Sequence, residues 1–117
     1  MAKRGTFAIG GDAFDVYGAT LANVTASQTD SAIVTAVAGK KIRVLTYILS
    51  ASGTASAVTF NSKPSGAGAA ISPTLKAGDP VPQFLEFGWF ETVAGEGLSV
   101  TTGAGSTTGI QVIYTLA

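Results

Sequence analysis

The carboxylates Asp79, Glu86, Glu91 and Glu96 are the residues of this chain with the plainest chemical use, as an acid and base on two sides of a glycosidic bond. Their spacing does not favour it. Glu86 and Glu91 lie five apart on or beside a strand, so they need not share a face. Glu86 is expected at a sheet edge or subunit contact, and Glu96 in a solvated turn. The chain has no His and no Cys. That removes the usual general base near neutral pH, the commonest metal ligand, thiolate zinc sites, disulfides and redox switching. Asp12, Asp15, Asp30 and Asp79 could offer oxygens to Ca²⁺, but they match neither an EF-hand loop nor a nonapeptide repeat. They are expected in solvated turns, with Asp30-Ser31 and Asp79-Pro80 as side-chain-to-backbone turns. No catalytic, cofactor-binding or metal residue is assigned, no cofactor is expected, and the chain is not expected to be an enzyme.

Other groups have binding rather than catalytic uses. Gly66-Ala67-Gly68 and Gly103-Ala104-Gly105 carry a G-x-G pattern, but strands flank both and no helix N-terminus follows to hold a phosphate. They are expected as turns. Lys40, Lys41 and Arg43 form a small basic cluster, with Lys41 and Arg43 on one strand face. It is too small for a nucleic-acid groove, and few aromatics lie beside it for base stacking. It is expected to rim a subunit contact by pairing with a neighbour's Glu86 or Glu91, or else to sit at a solvated strand end. Tyr47, Phe84, Phe87, Trp89 and Phe90 could stack on sugar rings; core or interface is the more usual use of such a set. Asn23-Val24-Thr25 is a sequon by chance spacing.

The elements that hold these residues follow from composition. One domain fits 117 residues. The formal net charge is zero and 12% of residues are charged, which argues against nucleic-acid binding and against disorder. A neutral, charge-poor chain tends to self-associate. Lys3 and Arg4 precede no long apolar run, so no signal peptide and no membrane span is expected.

Residues 1–28 mix scattered apolar positions with Gly, Asp and Thr, and are expected as an extended N-terminal arm with one or two short strands. Residues 29–117 have a strand-and-turn rhythm, with strands expected over 31–37, 41–51, 55–61, 71–75, 81–91, 98–102 and 110–116. Helical periodicity is absent. Many short strands with regular turns imply an all-β, antiparallel sandwich or barrel. Two of the strands are unusual. In 41–51, Ile42, Val44 and Ile48 alternate with Leu45, Tyr47 and Leu49; in 81–91, Phe84 and Phe90 lie opposite Leu85, Phe87 and Trp89. A strand apolar on both faces needs two covers, and a chain this short has little to spare for a second. A second copy of the chain is the simplest supply.

Four segments carry a resemblance: Ala32-Ile-Val-Thr-Ala-Val-Ala-Gly-Lys-Lys-Ile-Arg-Val-Leu45, Tyr47-Ile-Leu-Ser-Ala-Ser-Gly53, Gly88-Trp-Phe-Glu-Thr92 and Gly95-Glu-Gly-Leu-Ser-Val100. Together they resemble small jelly-roll domains of tailed-bacteriophage virion proteins. The resemblance covers about residues 31–117 and implies a jelly-roll-like β-sandwich that forms homotrimers. It implies a capsid decoration (cement) protein that binds the major capsid protein on the virion surface and is assembled in the host cytoplasm. The alternative is a head or tail fibre module that recognises host surface glycan. Leu45, Tyr47, Leu49, Phe87 and Trp89, with Lys41 and Arg43 at the rim, are the expected subunit contact. Phe7, Ile9, Phe14 and Tyr17 of the arm, which extended would reach roughly 90 Å, are the expected capsid contact. No nucleic-acid or membrane partner is expected.

Overall fold

The computed structural model describes residues 3–9 and 12–117, without the side chains of Phe7, Ile9 and Asp12. The described residues contain no helix and form nine strands: β1 (Lys3–Ile9), β2 (Asp12–Val24), β3 (Ser31–Val34), β4 (Ile42–Ala51), β5 (Val58–Lys63), β6 (Ala69–Ala70), β7 (Phe90–Glu91), β8 (Gly97–Thr102) and β9 (Thr108–Leu116). One sheet has the order β1-β2-β9-β4-β7 and the other β3-β8-β5-β6, with every pairing antiparallel. Period-two alternation sets the inner faces. Ile110, Val112 and Tyr114 of β9 meet Val58 and Phe60 of β5 and Leu98 and Val100 of β8 in one core. The all-β class and the two antiparallel sheets match the sequence expectation.

Strand β4 explains the apolar residues on both of its apparent faces. Along β9 the register steps once, from Tyr114 to Ile113, while along β4 it steps twice, from Val44 to Thr46. Leu45 is the extra residue of a β-bulge. One inserted residue reverses which side chains face the core. Ile42 and Val44 are buried before the bulge; after it Tyr47 and Leu49 pack on the core and Ile48 is 50% exposed. So β4 has one apolar face whose parity changes midway. Leu45 is fully buried, yet lies outside the two-sheet core.

The expected strand over 81–91 is corrected too. Only Phe90–Glu91 is strand. Pro80 and Pro82 lack the N–H that a ladder needs, and Gly88 has φ +81°, outside the strand region. The chain turns there, with Gly88 N–H donating to Leu85 O at 2.9 Å.

The extended arm is corrected in part. β1 and β2 form a hairpin, and β2 pairs with β9 from Tyr17 opposite Tyr114 to Val24 opposite Thr108. Val24 is core, 5% exposed. Residues 17–24 are therefore sheet rather than arm. Residues 12–16 have β1 as their sole strand partner among the described residues.

Candidate interaction surface

The bulge of β4 builds the most distinctive surface of the molecule. Beyond Val44 no strand among the described residues continues β7 along β4. Segment 81–89 takes that place as an irregular loop. Trp89 N–H donates to Val44 O at 2.8 Å and Leu85 N–H to Leu45 O at 3.0 Å. Thr46 Oγ1–H donates to Pro82 O at 2.7 Å. The loop thus satisfies the carbonyls at the bulge and turns Leu85 half inward. Val81, Phe84, Phe87 and Trp89 are left facing solvent, Phe87 most of all at 71% exposed.

The loop is held in place as well as exposed. Trp89 Nε1–H donates to Gln83 O at 2.9 Å, which pins the indole to its own loop. Beside it lies a groove of about 380 Å³ lined by Tyr47, Pro73, Pro80, Val81, Pro82, Trp89 and Phe90. Its floor is anchored in the core: Phe60 contacts Tyr47 and Phe90 with ring centroids 5.5 and 5.1 Å apart. Burial, and next the charge of Asp79, push the Tyr47 hydroxyl above its ordinary pKa.

At the sheet edge, Arg43 and Glu91 stand directly opposite in register. Arg43 reaches Glu91 Oε2 through Nη2 at 3.1 Å and Nε at 3.2 Å, and Lys41 Nζ lies 3.7 Å from Oε1. Within the chain, Glu91 thus takes Lys41 and Arg43, the pairing that was expected with a neighbour's Glu91. That engagement also leaves Glu91 a poor half of a catalytic pair with Glu86, which sits in the exposed turn beside Phe87.

The structure divides the expected subunit contact. Phe87 and Trp89 are exposed together on the loop. Leu45 is buried and unavailable to a partner, Leu49 packs on the core, and Tyr47 packs on the core while also lining the groove beside Trp89. The expected capsid contact is divided as well. Tyr17 stacks on buried Tyr114 with centroids 5.4 Å apart, and Phe14 is half-buried opposite Phe7. The side chains of Phe7 and Ile9 lie outside the described residues. Val81 and the three groove prolines were missed in the sequence; the Pro80/Pro82 pair, which forbids a regular ladder, was the available signal.

No group of three or more His, Cys, Asp or Glu is placed to hold an ion among the described residues. Asp30, expected in a local turn, instead spans the outer face of the second sheet. It accepts Asn61 Nδ2–H and Ser99 Oγ–H at 3.1 Å each on Oδ1, and Gly68 N–H at 3.0 Å on Oδ2. The Gly68 bond first, then Ser99, Lys63 and Asn61, hold its carboxyl below the ordinary aspartate range against the opposing effect of burial. Glu96, expected to be solvated, accepts from buried Ser62 at 2.7 Å. Both G-x-G segments are turns between strands, Gly66–Gly68 before β6 and Gly103–Gly105 before β9. No helix among the described residues is long and apolar enough to cross a membrane.

No known family, curated protein or solved structure matches this chain.

Proposed function

We propose that this chain is a bacteriophage capsid decoration protein, a homotrimer of jelly-roll-like sandwiches that binds the major capsid protein and stabilises an icosahedral head. The observation that carries the reading is the pinned aromatic loop 81–89 on a charge-poor β body, with no catalytic or metal constellation among the described residues. The resemblance of segments 32–45, 47–53, 88–92 and 95–100 supports a place on a virion.

The action is mechanical. At about 200 Å² per whole aromatic side chain and the exposures of Val81, Phe84, Phe87 and Trp89, the loop offers roughly 400 Å² of apolar surface. That is the size of a functional patch on a monomer. At about 25 cal/mol per Å² its burial yields about 10 kcal/mol gross. Association costs about 4–15 kcal/mol, so one loop alone is marginal. Buried between subunits, that surface holds the copies together, and the linked copies then present several capsid contacts at once, which raises effective concentration at the shell. The shell gains stability because only the assembled lattice offers the site.

Light scattering on the purified chain, followed by electron microscopy of virions, tests this. Three copies in solution and density on the outer shell support it. A monodisperse monomer without capsid affinity overturns it.

The exposed rings of Phe84, Phe87 and Trp89, which could stack on sugar faces, support a second reading, a fibre module that binds host glycan. Glycan-array binding lost on Trp89→Ala with folding intact supports that reading, and silence on an array of host-derived glycans refutes it.

A further inference from the structure

We infer that the exposed ring of Phe87 in one copy inserts into the Tyr47/Pro82/Trp89/Phe90 groove of a second copy, making loop 81–89 both halves of a self-association contact. The inference rests on the proposed homotrimer for the number of copies, and on the surface for where they touch.

Phe87 is the most exposed of the described large apolar side chains and does not line its own chain's groove. The groove is walled by three prolines, two aromatic rings of the core cluster and an indole whose N–H is already donated to Gln83 O. With the indole donor spent and prolines offering none, the Tyr47 hydroxyl is the one side-chain donor left in the lining, and the walls are otherwise apolar, which suits an apolar ring as occupant. At about 380 Å³ the groove is roomy enough for a phenyl ring.

Charge agrees with a second copy as the occupant. Asp15 pairs with Lys3, Glu91 with Lys41 and Arg43, Glu96 with Ser62, and Asp30 and Asp79 accept backbone N–H groups. Glu86, next to Phe87, is the acid left without a hydrogen bond or ion pair among the described side chains. Lys76 has no ion-pair partner among the described residues, and its turn, closed by Lys76 N–H to Asp79 Oδ2 at 2.9 Å, runs directly into Pro80 of the groove wall. A Phe87 ring entering a neighbour's groove is expected to bring its Glu86 toward that neighbour's turn 76–79, where Lys76 would attract it against the opposing charge of Asp79. The area is also of the right order. Roughly 400 Å² of loop is about half of the ~800 Å² per partner in a stable interface, which suits an apolar centre with a polar rim. Ring and groove belong to one loop, so insertion is either reciprocal, giving a two-fold dimer, or one-way, giving a head-to-tail contact that closes into the proposed trimer.

The test uses the full chain. Light scattering is run on wild type, Phe87→Asp, Glu86→Lys, Lys76→Glu and the Glu86→Lys/Lys76→Glu pair, with near-ultraviolet circular dichroism as the folding control. A photo-crosslinking phenylalanine analogue in place of Phe87 is then mixed with isotope-labelled wild type, and crosslinks are mapped by mass. The expected results are association weakened at least 100-fold by Phe87→Asp with the fold intact, partial rescue by the charge-swapped pair, and crosslinks from position 87 to the labelled copy's groove. A trimer that persists in Phe87→Asp, or crosslinks confined to one chain or to other surfaces, overturns the contact while leaving the homotrimer standing. A wild-type dimer with inter-copy groove crosslinks supports the contact and removes the homotrimer. A wild-type monomer removes both.

Discussion

Replacing Leu45 and Ile48 separately by Ala tests the bulge of β4 directly. Leu45 is 0% exposed, whereas Ile48 is 50% exposed. Truncating a buried Leu costs about 2–5 kcal/mol, depending on how far the site collapses. Leu45 lies outside the two-sheet core, beside a loop held to it by the Leu85 N–H bond. A loop can settle more easily than a sheet, so the lower part of that range, about 2–3 kcal/mol, is expected. Ile48→Ala should cost about 0.5 kcal/mol or less, as surface changes do. With a urea slope of about 2 kcal/mol per M, Leu45→Ala lowers the midpoint by about 1–1.5 M and Ile48→Ala barely moves it. Each curve is recorded at two protein concentrations, so that any assembly contribution shows as a concentration dependence. A strand of unbroken alternation gives a different result, since Ile48 would then share the buried face of Val44. An Ile48→Ala cost above about 2 kcal/mol, or a Leu45→Ala cost below about 1 kcal/mol, refutes the parity switch.

Thr108 Oγ1 is buried with no hydrogen-bond partner among the described residues, so Thr108→Val, which keeps the shape and removes the hydroxyl, should stabilise the fold by about 1 kcal/mol in the same urea assay. Asp30 titrates below its unfolded value, so its contribution to stability is complete above about pH 5 and is lost as pH falls through the folded pKa. Asp30→Asn should therefore destabilise at neutral pH, with the gap to wild type narrowing below about pH 4 in melts recorded from pH 2 to 7. A Cβ on Gly97 would lie 2.9 Å from Val34 O and 3.3 Å from Ala36 N, both backbone atoms, so Gly97→Ala should cost about 1–3 kcal/mol by chemical denaturation.

The all-β class, the turn at Gly39 with its φ of +71° and the inner faces of β5, β8 and β9 were legible in the sequence. In those segments each side chain's face follows from its parity, and parity needs no knowledge of neighbours. The candidate site was legible only in part. Phe87 and Trp89 were marked by type, and Lys41, Arg43 and Glu91 by charge. Which of them face solvent depended on hydrogen bonds between segments about forty residues apart. The join of β2 to β9 was hidden similarly, because Gly18, Ala19 and Ala22 thin the apolar signal of a strand whose partner lies far along the chain.

By itself the sequence determined a neutral, charge-poor β protein, without His or Cys, whose alternating segments had to pack as layers. It also determined that 41–51 and 81–91 carry more apolar residues than one regular face can use. Tertiary structure decided what became of the excess. One extra residue at Leu45 turned the double face of β4 into a single inner face, since the pairing of β9 fixes where parity breaks. Pro80, Pro82 and Gly88 kept 81–89 out of the ladder, and its N–H groups bound the bulged strand instead. The aromatic surplus thus came to the surface as a pinned loop, a placement set by long-range backbone bonds that local residue pattern does not encode.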